Sequence, residues 1–258
     1  MDQDLTSIQE ARDTVARAYE AWKAWSHVSQ ADVDRVCAAM AEAGVQASER
    51  LGRLAQEETG YGVAAHKKLK NEFSSRVVWE SIRDQKTVGV IRHDPDHRLY
   101  EIAWPMGVIA GLVPSTNPTS TAFFKALIAV KSRNAIVFSP HPSAKRCIYE
   151  AAQTMALAAE NAGAPKGLIN CLQQVSLVGT QELMSHRNTA LILATGGAGM
   201  VKAAHSCGKP AYGVGPGNVP VYVDRSADLS KAARYIVASK AFDCSTICAT
   251  EQAVVADR

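Results

Sequence analysis

The chain lacks the features that mark a membrane protein, a nucleic-acid binder or a metalloprotein. None of its apolar runs approaches the ~20 residues that a membrane-spanning helix needs. Its first residues carry neither the basic start nor the apolar block of a signal peptide. There is no run of five or more basic residues, and a net charge of +3 is too small to point to nucleic acid. The six cysteines (Cys37, Cys147, Cys171, Cys207, Cys244 and Cys248) form no CxxC pair and no cluster with histidine at zinc spacing, so no metal site is expected. Thiols scattered through a chain without a secretion signal imply a reducing, cytoplasmic setting. Internal repeats and low-complexity segments are absent too. What is present is 258 residues with 47% apolar content, enough to bury a substantial core as one large domain or one domain with appendages.

The first third reads as helical. Leu5, Ile8, Val15, Ala18, Trp22 and Trp25 recur at three- and four-residue steps, a single apolar stripe in which both tryptophans serve packing. Ser29 and Asp32 fit a capping box ahead of a second helix carrying Val33, Val36, Met40, Leu51 and Leu54. The glycines at 60 and 62 break it, and a third helix is predicted over 64–81. The period then changes. Residues 87–91 and 99–102 alternate about an Asp94–His97 turn and read as a β-hairpin. From Met106 the pattern is strand, loop, helix, repeated: strands at 108–113, 135–138, 168–172, 190–194, 211–214, 219–223 and 252–256, helices at 119–131, 143–162, 198–207 and 229–241. This alternation predicts an α/β fold, a doubly wound, mostly parallel Rossmann-like sheet with an N-terminal helical region and a hairpin arm.

In such sheets ligands bind outside the carboxyl ends of the strands. Three loops fall there. In the 113–121 loop two prolines fix the backbone and Asn117 offers a side-chain amide. That amide is either an oxyanion donor or part of a turn that caps the next helix. The 194–200 turn has glycines at 196, 197 and 199 and opens a helix. It admits a phosphate or a nicotinamide, or it is a tight strand-to-helix turn, since Lys202 departs from a full GxGxxG. The 213–218 loop is a ligand-approach loop or a hairpin-like bend. Cys37, Cys147, Cys171 and Cys207 lie in helix or strand patterns and read as buried apolar residues, whereas Cys244 and Cys248 lie between a helix and a strand, where a thiol meets substrate. His66, His93, His97, His141, His186 and His205 are not spaced as partners of Cys248, which argues against a Cys-His protease.

Together and in order, the stretches 102–121 (IAWPMGVIAGLVPSTNPTST), 138–142 (FSPHP), 193–204 (LATGGAGMVKAA), 213–218 (GVGPGN) and 247–252 (ICATEQ) resemble the aldehyde dehydrogenase superfamily. The similarity is greatest to its CoA-acylating branch, which includes the aldehyde dehydrogenase half of bifunctional aldehyde-alcohol dehydrogenases. The resemblance implies that Cys248 is the catalytic thiol and that Asn117, with the Cys248 backbone N–H, forms the oxyanion hole. It implies a dinucleotide, NAD or NADP, against Thr195, Gly196, Gly197 and Gly199, with Ser139, Pro140, His141 and Pro142 at the adenosine ribose, residues 165–167 near the adenine, and Gly215 in the loop where hydrolytic relatives carry a general-base glutamate. That loop has no carboxylate here, so the implied acyl acceptor is CoA rather than water.

The resemblance divides the chain into an N-terminal helical part of the NAD-binding domain (1–85), an oligomerisation hairpin (86–104), a Rossmann-like NAD-binding core (105–241) and the start of a catalytic domain (242–258). It places the rest of that domain after Arg258, so a truncated or natural N-terminal fragment is expected. The expected partners are a small aldehyde, CoA and further copies of the chain through the hairpin. Neither nucleic acid nor membrane is expected to bind, and the aldehyde is left open. A non-catalytic dinucleotide-binding module and a hydrolytic dehydrogenase are the alternatives. Cys244, where relatives carry a small or polar residue, is either a disulfide partner for Cys248 or a spare thiol.

Overall fold

The structure, a computed structural model, describes residues 3–257. Helix α1 (Gln3–Trp25) buries Ser7, Ala11, Thr14, Val15, Ala18, Ala21 and Trp25. The stripe expected to begin at Leu5 begins at Ser7 instead, and Leu5 is exposed. Small residues at these positions let α1 lie close to its neighbours: a Cβ on Gly179 would come within 3.0 Å of Ser7. Helix α2 (Gln30–Thr59) starts at the expected box. Ser29 Oγ accepts from the Asp32 N–H at 3.2 Å and donates to the Asp32 carboxylate at 2.6 Å, an arrangement worth about 1 kcal/mol. It stops at Gly60, whose φ of 69° suits a residue without a Cβ.

The helix expected over 64–81 is present but divided. Helix α3 (Ala64–Glu72) runs into a π-helical turn (Phe73–Val77) and then α4 (Val78–Ile82). Strands β1 (Gly89–Asp94) and β2 (Leu99–Ala103) form the antiparallel hairpin, with a register shift between Val90 and Arg92.

The core is a five-stranded parallel sheet of β3 (Val108–Val113), β4 (Ala135–Pro140), β5 (Ile169–Cys171), β6 (Thr189–Thr195) and β7 (Ala211–Val214), in the order β5-β4-β3-β6-β7. Every residue of β3 and β4 is buried, as the continuous apolar runs require of strands covered on both faces. With the right-handed crossovers that parallel strands favour, this strand order puts α5 (Pro118–Lys131) and α6 (Lys145–Asn161) on one face and α7 (Leu177–Ser185) on the other. Helix α2 packs on α5 and α6, and α1 packs on α7. The chain reverses direction across the sheet between β3 and β6, the switch point at which such folds bind ligands.

Helix α7 was not expected from the sequence. Its signal is short: Ser176 caps it by accepting from the Gly179 N–H at 3.0 Å, with only one turn of apolar residues to follow. After α8 (Ala198–Ser206) and β7 the chain leaves the sheet. Strands β8 (Val219–Val223) and β9 (Glu251–Ala256) pair in parallel in a separate two-stranded sheet, with α9 (Leu229–Ala241) between them. The 213–218 loop is therefore no hairpin bend, because its two strands belong to different sheets. Among the described residues, no helix is long and apolar enough to cross a membrane and no three His, Cys, Asp or Glu residues are grouped to hold a metal.

Candidate active site

At the carboxyl ends of the strands lies a cleft of about 620 Å³. The β3–α5 loop brings Asn117 to it, the end of β4 brings Ser139, Pro140, His141 and Pro142, and the turn after β6 brings Thr195, Gly196 and Gly197. Gly215 and Cys248 complete the set. Gly199, in the first turn of α8, does not line the cleft. Residues 165–167 lie elsewhere: they precede β5, so they sit at the amino end of the sheet, in a separate groove with Arg17 and Glu160. What borders the cleft near β4 is the segment after β5, including Ser176, Leu177 and Thr180, which the sequence did not single out.

Each wall has a physical basis. Gly197 occupies the N-cap position of α8 with no side chain to cap it, so that helix end presents free backbone N–H groups, favourable for an anion. A Cβ on Gly197 or Gly199 would meet nothing within 4 Å, which leaves room for a ligand at that end. A pyrophosphate-bearing dinucleotide fits this combination of open turn and uncapped helix. Ser139 contributes a wall and not a free hydroxyl, since its Oγ is 2.8 Å from Thr180 Oγ1 in a buried contact. His141 is turned on its own loop, with Nδ1 2.8 Å from Ser143 Oγ. Gly217 is needed for closeness: a Cβ there would fall 2.2 Å from the carbonyl oxygen of Cys248.

Cys248 and Cys244 are free and exposed, whereas Cys37, Cys147 and Cys171 are buried. Burial pushes the Cys37 thiol up to about 12, and it moves Cys147 and Cys171 in the same direction. Cys207, expected to be buried, is half-buried at the C-cap of α8 because the helix ends one residue before it.

Asn117 stands at the N-cap position of α5, yet its side chain makes no capping bond. The capping alternative therefore fails. Its Nδ2 donates to Thr246 O at 2.9 Å and to Thr116 Oγ1 at 3.2 Å, and its Oδ1 accepts from Lys70 Nζ at 2.5 Å.

Lys70 belongs to a cluster that sequence reasoning missed. Helix α3 presents Lys67, Lys70 and Asn71 at helical spacing toward the cleft floor. Asp243 is fully buried and accepts from the Val63 N–H at 2.7 Å, from Lys67 Nζ at 3.4 Å, from Thr246 Oγ1 at 2.6 Å, and from Lys70 Nζ. Lys67 Nζ also donates to Thr116 O at 3.1 Å, and Asn71 Oδ1 accepts from Thr119 Oγ1 at 2.7 Å. Burial pulls the Lys70 ammonium down to about 8 against the pull of Asp243. For Asp243, burial pushes the carboxyl up, but the bonds from Lys70, Thr246 and Val63 outweigh it and hold it below its ordinary value.

The aspartate reaches this position because Asp243, Cys244 and Ser245 all adopt left-handed backbone, with φ of 47°, 54° and 61°. Three such non-glycine residues in succession are costly, and the bonds that Asp243 accepts from Val63, Thr246 and Lys70 hold them there. Gly62 admits the carboxylate, since a Cβ there would fall 2.2 Å from Asp243 Oδ1.

A second buried lysine underlies the switch point. Lys125 of α5 donates to Leu112 O at 2.6 Å and Leu193 O at 2.7 Å, bridging the ends of β3 and β6, and desolvation pulls it down to about 7.

A doubly wound parallel sheet of this order, with a glycine turn and an open helix end at its switch point, places the chain in the class of Rossmann-like dinucleotide-binding folds. It belongs, more narrowly, to the aldehyde dehydrogenase family, whose model matches residues 3–258. The chain is 46% identical over 251 residues to the bifunctional aldehyde-alcohol dehydrogenase AdhE of Escherichia coli K12, covering 97% of this chain and 28% of that protein. The crystal structure of an acetylating aldehyde dehydrogenase from Geobacillus thermoglucosidasius superposes with a TM-score of 0.97 at 56% identity, over 100% of this chain and 57% of that one. The Rhodopseudomonas palustris propionaldehyde dehydrogenase solved with bound propionyl-CoA superposes at 0.84 with 31% identity, over 95% of this chain and 54% of that one. The chain thus spans about a quarter of the bifunctional relative (28%) and little more than half of the solved ones (57% and 54%).

Proposed function

We propose that the chain carries the dinucleotide cleft and the nucleophile of a CoA-acylating aldehyde dehydrogenase, which turns a small aldehyde, NAD or NADP, and CoA into acyl-CoA and reduced dinucleotide. The observation that carries this reading is the makeup of the cleft. Among the described lining residues the titratable side chains are Cys248 and His141, and none is a carboxylate.

The Cys248 thiolate adds to the aldehyde carbonyl, and the Asn117 amide with the Cys248 N–H receives the negative charge that develops on oxygen. The Thr195–Gly197 turn and the α8 N-terminus would hold a dinucleotide, which would supply the hydride acceptor needed for the adduct on Cys248 to become a thioester. Water is a weak nucleophile without a positioned base, so the thioester persists until a thiol attacks it. CoA completes the cycle by thioester exchange and frees Cys248. Cys244 is a bystander in this scheme. A free nucleophilic thiol matches a reducing, cytoplasmic setting. The exposed hairpin, whose outer edges are unpaired, is read as an oligomerisation arm.

The test is formation of NADH or NADPH from short aldehydes with and without CoA. Dependence on CoA, with acyl-CoA as product and loss in Cys248→Ala, is expected. Free carboxylate released equally fast without CoA would return the chain to the hydrolytic class, and dinucleotide binding without any turnover would favour the binding module. The cleft also selects where a base would act. Gly213 has no room, since a Cβ there would fall 2.5 Å from Val201 Cγ1, whereas Val214 borders the cleft. Val214→Glu is therefore expected to raise CoA-independent carboxylate release in the turnover assay.

A further inference from the structure

We propose that Lys70 is the positioning residue for the oxyanion-binding amide: its ammonium, seated on Asp243, holds Asn117 Oδ1 so that the amide N–H groups face the carbonyl reacting at Cys248. This rests on the reading of Cys248 as nucleophile and Asn117 as oxyanion donor.

A primary amide can turn over with little change in shape, exchanging its acceptor for its donors. A lysine ammonium can only donate, so Lys70 Nζ at 2.5 Å from Oδ1 selects one of the two orientations. In that orientation Nδ2 is directed at the 246 carbonyl, two residues before Cys248 in the same loop. An arriving carbonyl oxygen takes over one of these donors. The cation also polarises the amide along its length, which strengthens the N–H groups as donors where they are used. Asn117 does no capping; its amide is held between Lys70 on the oxygen side and Thr246 O and Thr116 Oγ1 on the nitrogen side.

Lys70 reaches both loops at once. It touches Asn117 in the β3–α5 loop and Asp243 and Thr246 in the loop carrying the nucleophile. The loops carrying the donor and the thiol are thereby tied to a single buried ion pair between α3 and the turn after α9. The left-handed turn at 243–245 brings the carboxylate beneath Lys70.

Two reagents separate positioning from general damage. Acylation of Cys248 by p-nitrophenyl acetate passes through a tetrahedral oxyanion, whereas alkylation by iodoacetamide does not. Both rates are read at the Cys248 peptide by mass spectrometry. Lys70→Met is expected to slow acylation about 10- to 100-fold while alkylation stays within about twofold. Asn117→Ala should show the same selective loss. The double variant should be no slower than either single one, because Lys70 acts through Asn117. Lys70→Gln, which keeps a donor for Oδ1, should recover part of the rate.

Lys70→Met leaves Asp243 with Lys67, the Val63 N–H and Thr246 Oγ1. Should it still fail to fold, Lys70→Met combined with Asp243→Asn takes its place, with the same expectations. Parent-like acylation in the Lys70 variant while Asn117→Ala is slow, or losses that multiply in the double variant, would overturn the proposal alone. Parent-like acylation in Asn117→Ala would sink the oxyanion reading beneath it.

Discussion

Gly197 has ordinary backbone angles (φ −66°, ψ 162°) and empty space where a side chain would begin. A valine there strains nothing in the folded chain but fills the approach to the α8 N-terminus. Gly197→Val is expected to keep its melting temperature and lose dinucleotide binding at least tenfold, or about 1.4 kcal/mol. Calorimetric titration with NAD and NADP checks this, and unchanged affinity would remove the turn from the site. Lys125 offers a pH test. Its pKa is about 7 in the folded chain against 10.5 for an ordinary lysine, so between those values the unfolded chain holds a proton that the folded chain has lost. Stability should therefore rise with pH through that window, by up to about 1.4 kcal/mol per pH unit from this group. Urea unfolding at several pH values should show a flatter slope in Lys125→Met than in the parent. Equal slopes would mean that Lys125 keeps its proton when folded.

Among the elements, the hairpin of β1 and β2 stands apart. Val90, Ile91, Leu99, Tyr100 and Ile102 are all exposed, and a two-stranded ribbon is marginal by itself. Its deletion is expected to shift the chain to a smaller species in sedimentation. A parent that sediments as a monomer, unaffected by the deletion, would rule out the arm. Most elements were legible because their signals are local and periodic: the continuous apolar runs of β3 and β4, the Ser29 cap, the Gly60 stop. Helix α7 was not, having one cap and little amphipathic repetition. Nor was the working face of α3. Lys67 and Lys70 read as ordinary surface lysines, because their partner Asp243 lies more than 170 residues away in sequence. Asp243 gives little hint either: aspartate tolerates left-handed backbone, but Cys244 and Ser245, which share it, mark no turn in the sequence.

At the scale of the whole molecule, strand polarity decides which motifs meet. Loops that follow strands β3, β4, β6 and β7 converge on one cleft, so Asn117, His141, Gly197 and Gly215 share a side. Residues 165–167 precede a strand and fall at the opposite end, an outcome that follows from direction and not from composition. The packed core runs from α1 to α8 and is centred on β3 and β4, whereas α9 buries no residue and β8 and β9 form a thin layer beyond it. Cys248 sits where that layer meets the core, exposed and lining the cleft. The most direct measurement is to acylate the chain with p-nitrophenyl propionate, locate the adduct by peptide mass spectrometry, and follow its lifetime in buffer with and without CoA. A thioester on Cys248 that persists in buffer and is discharged by CoA to propionyl-CoA is the predicted result. An adduct on Cys244 instead, or one on Cys248 lost to water at a rate CoA does not change, would contradict it.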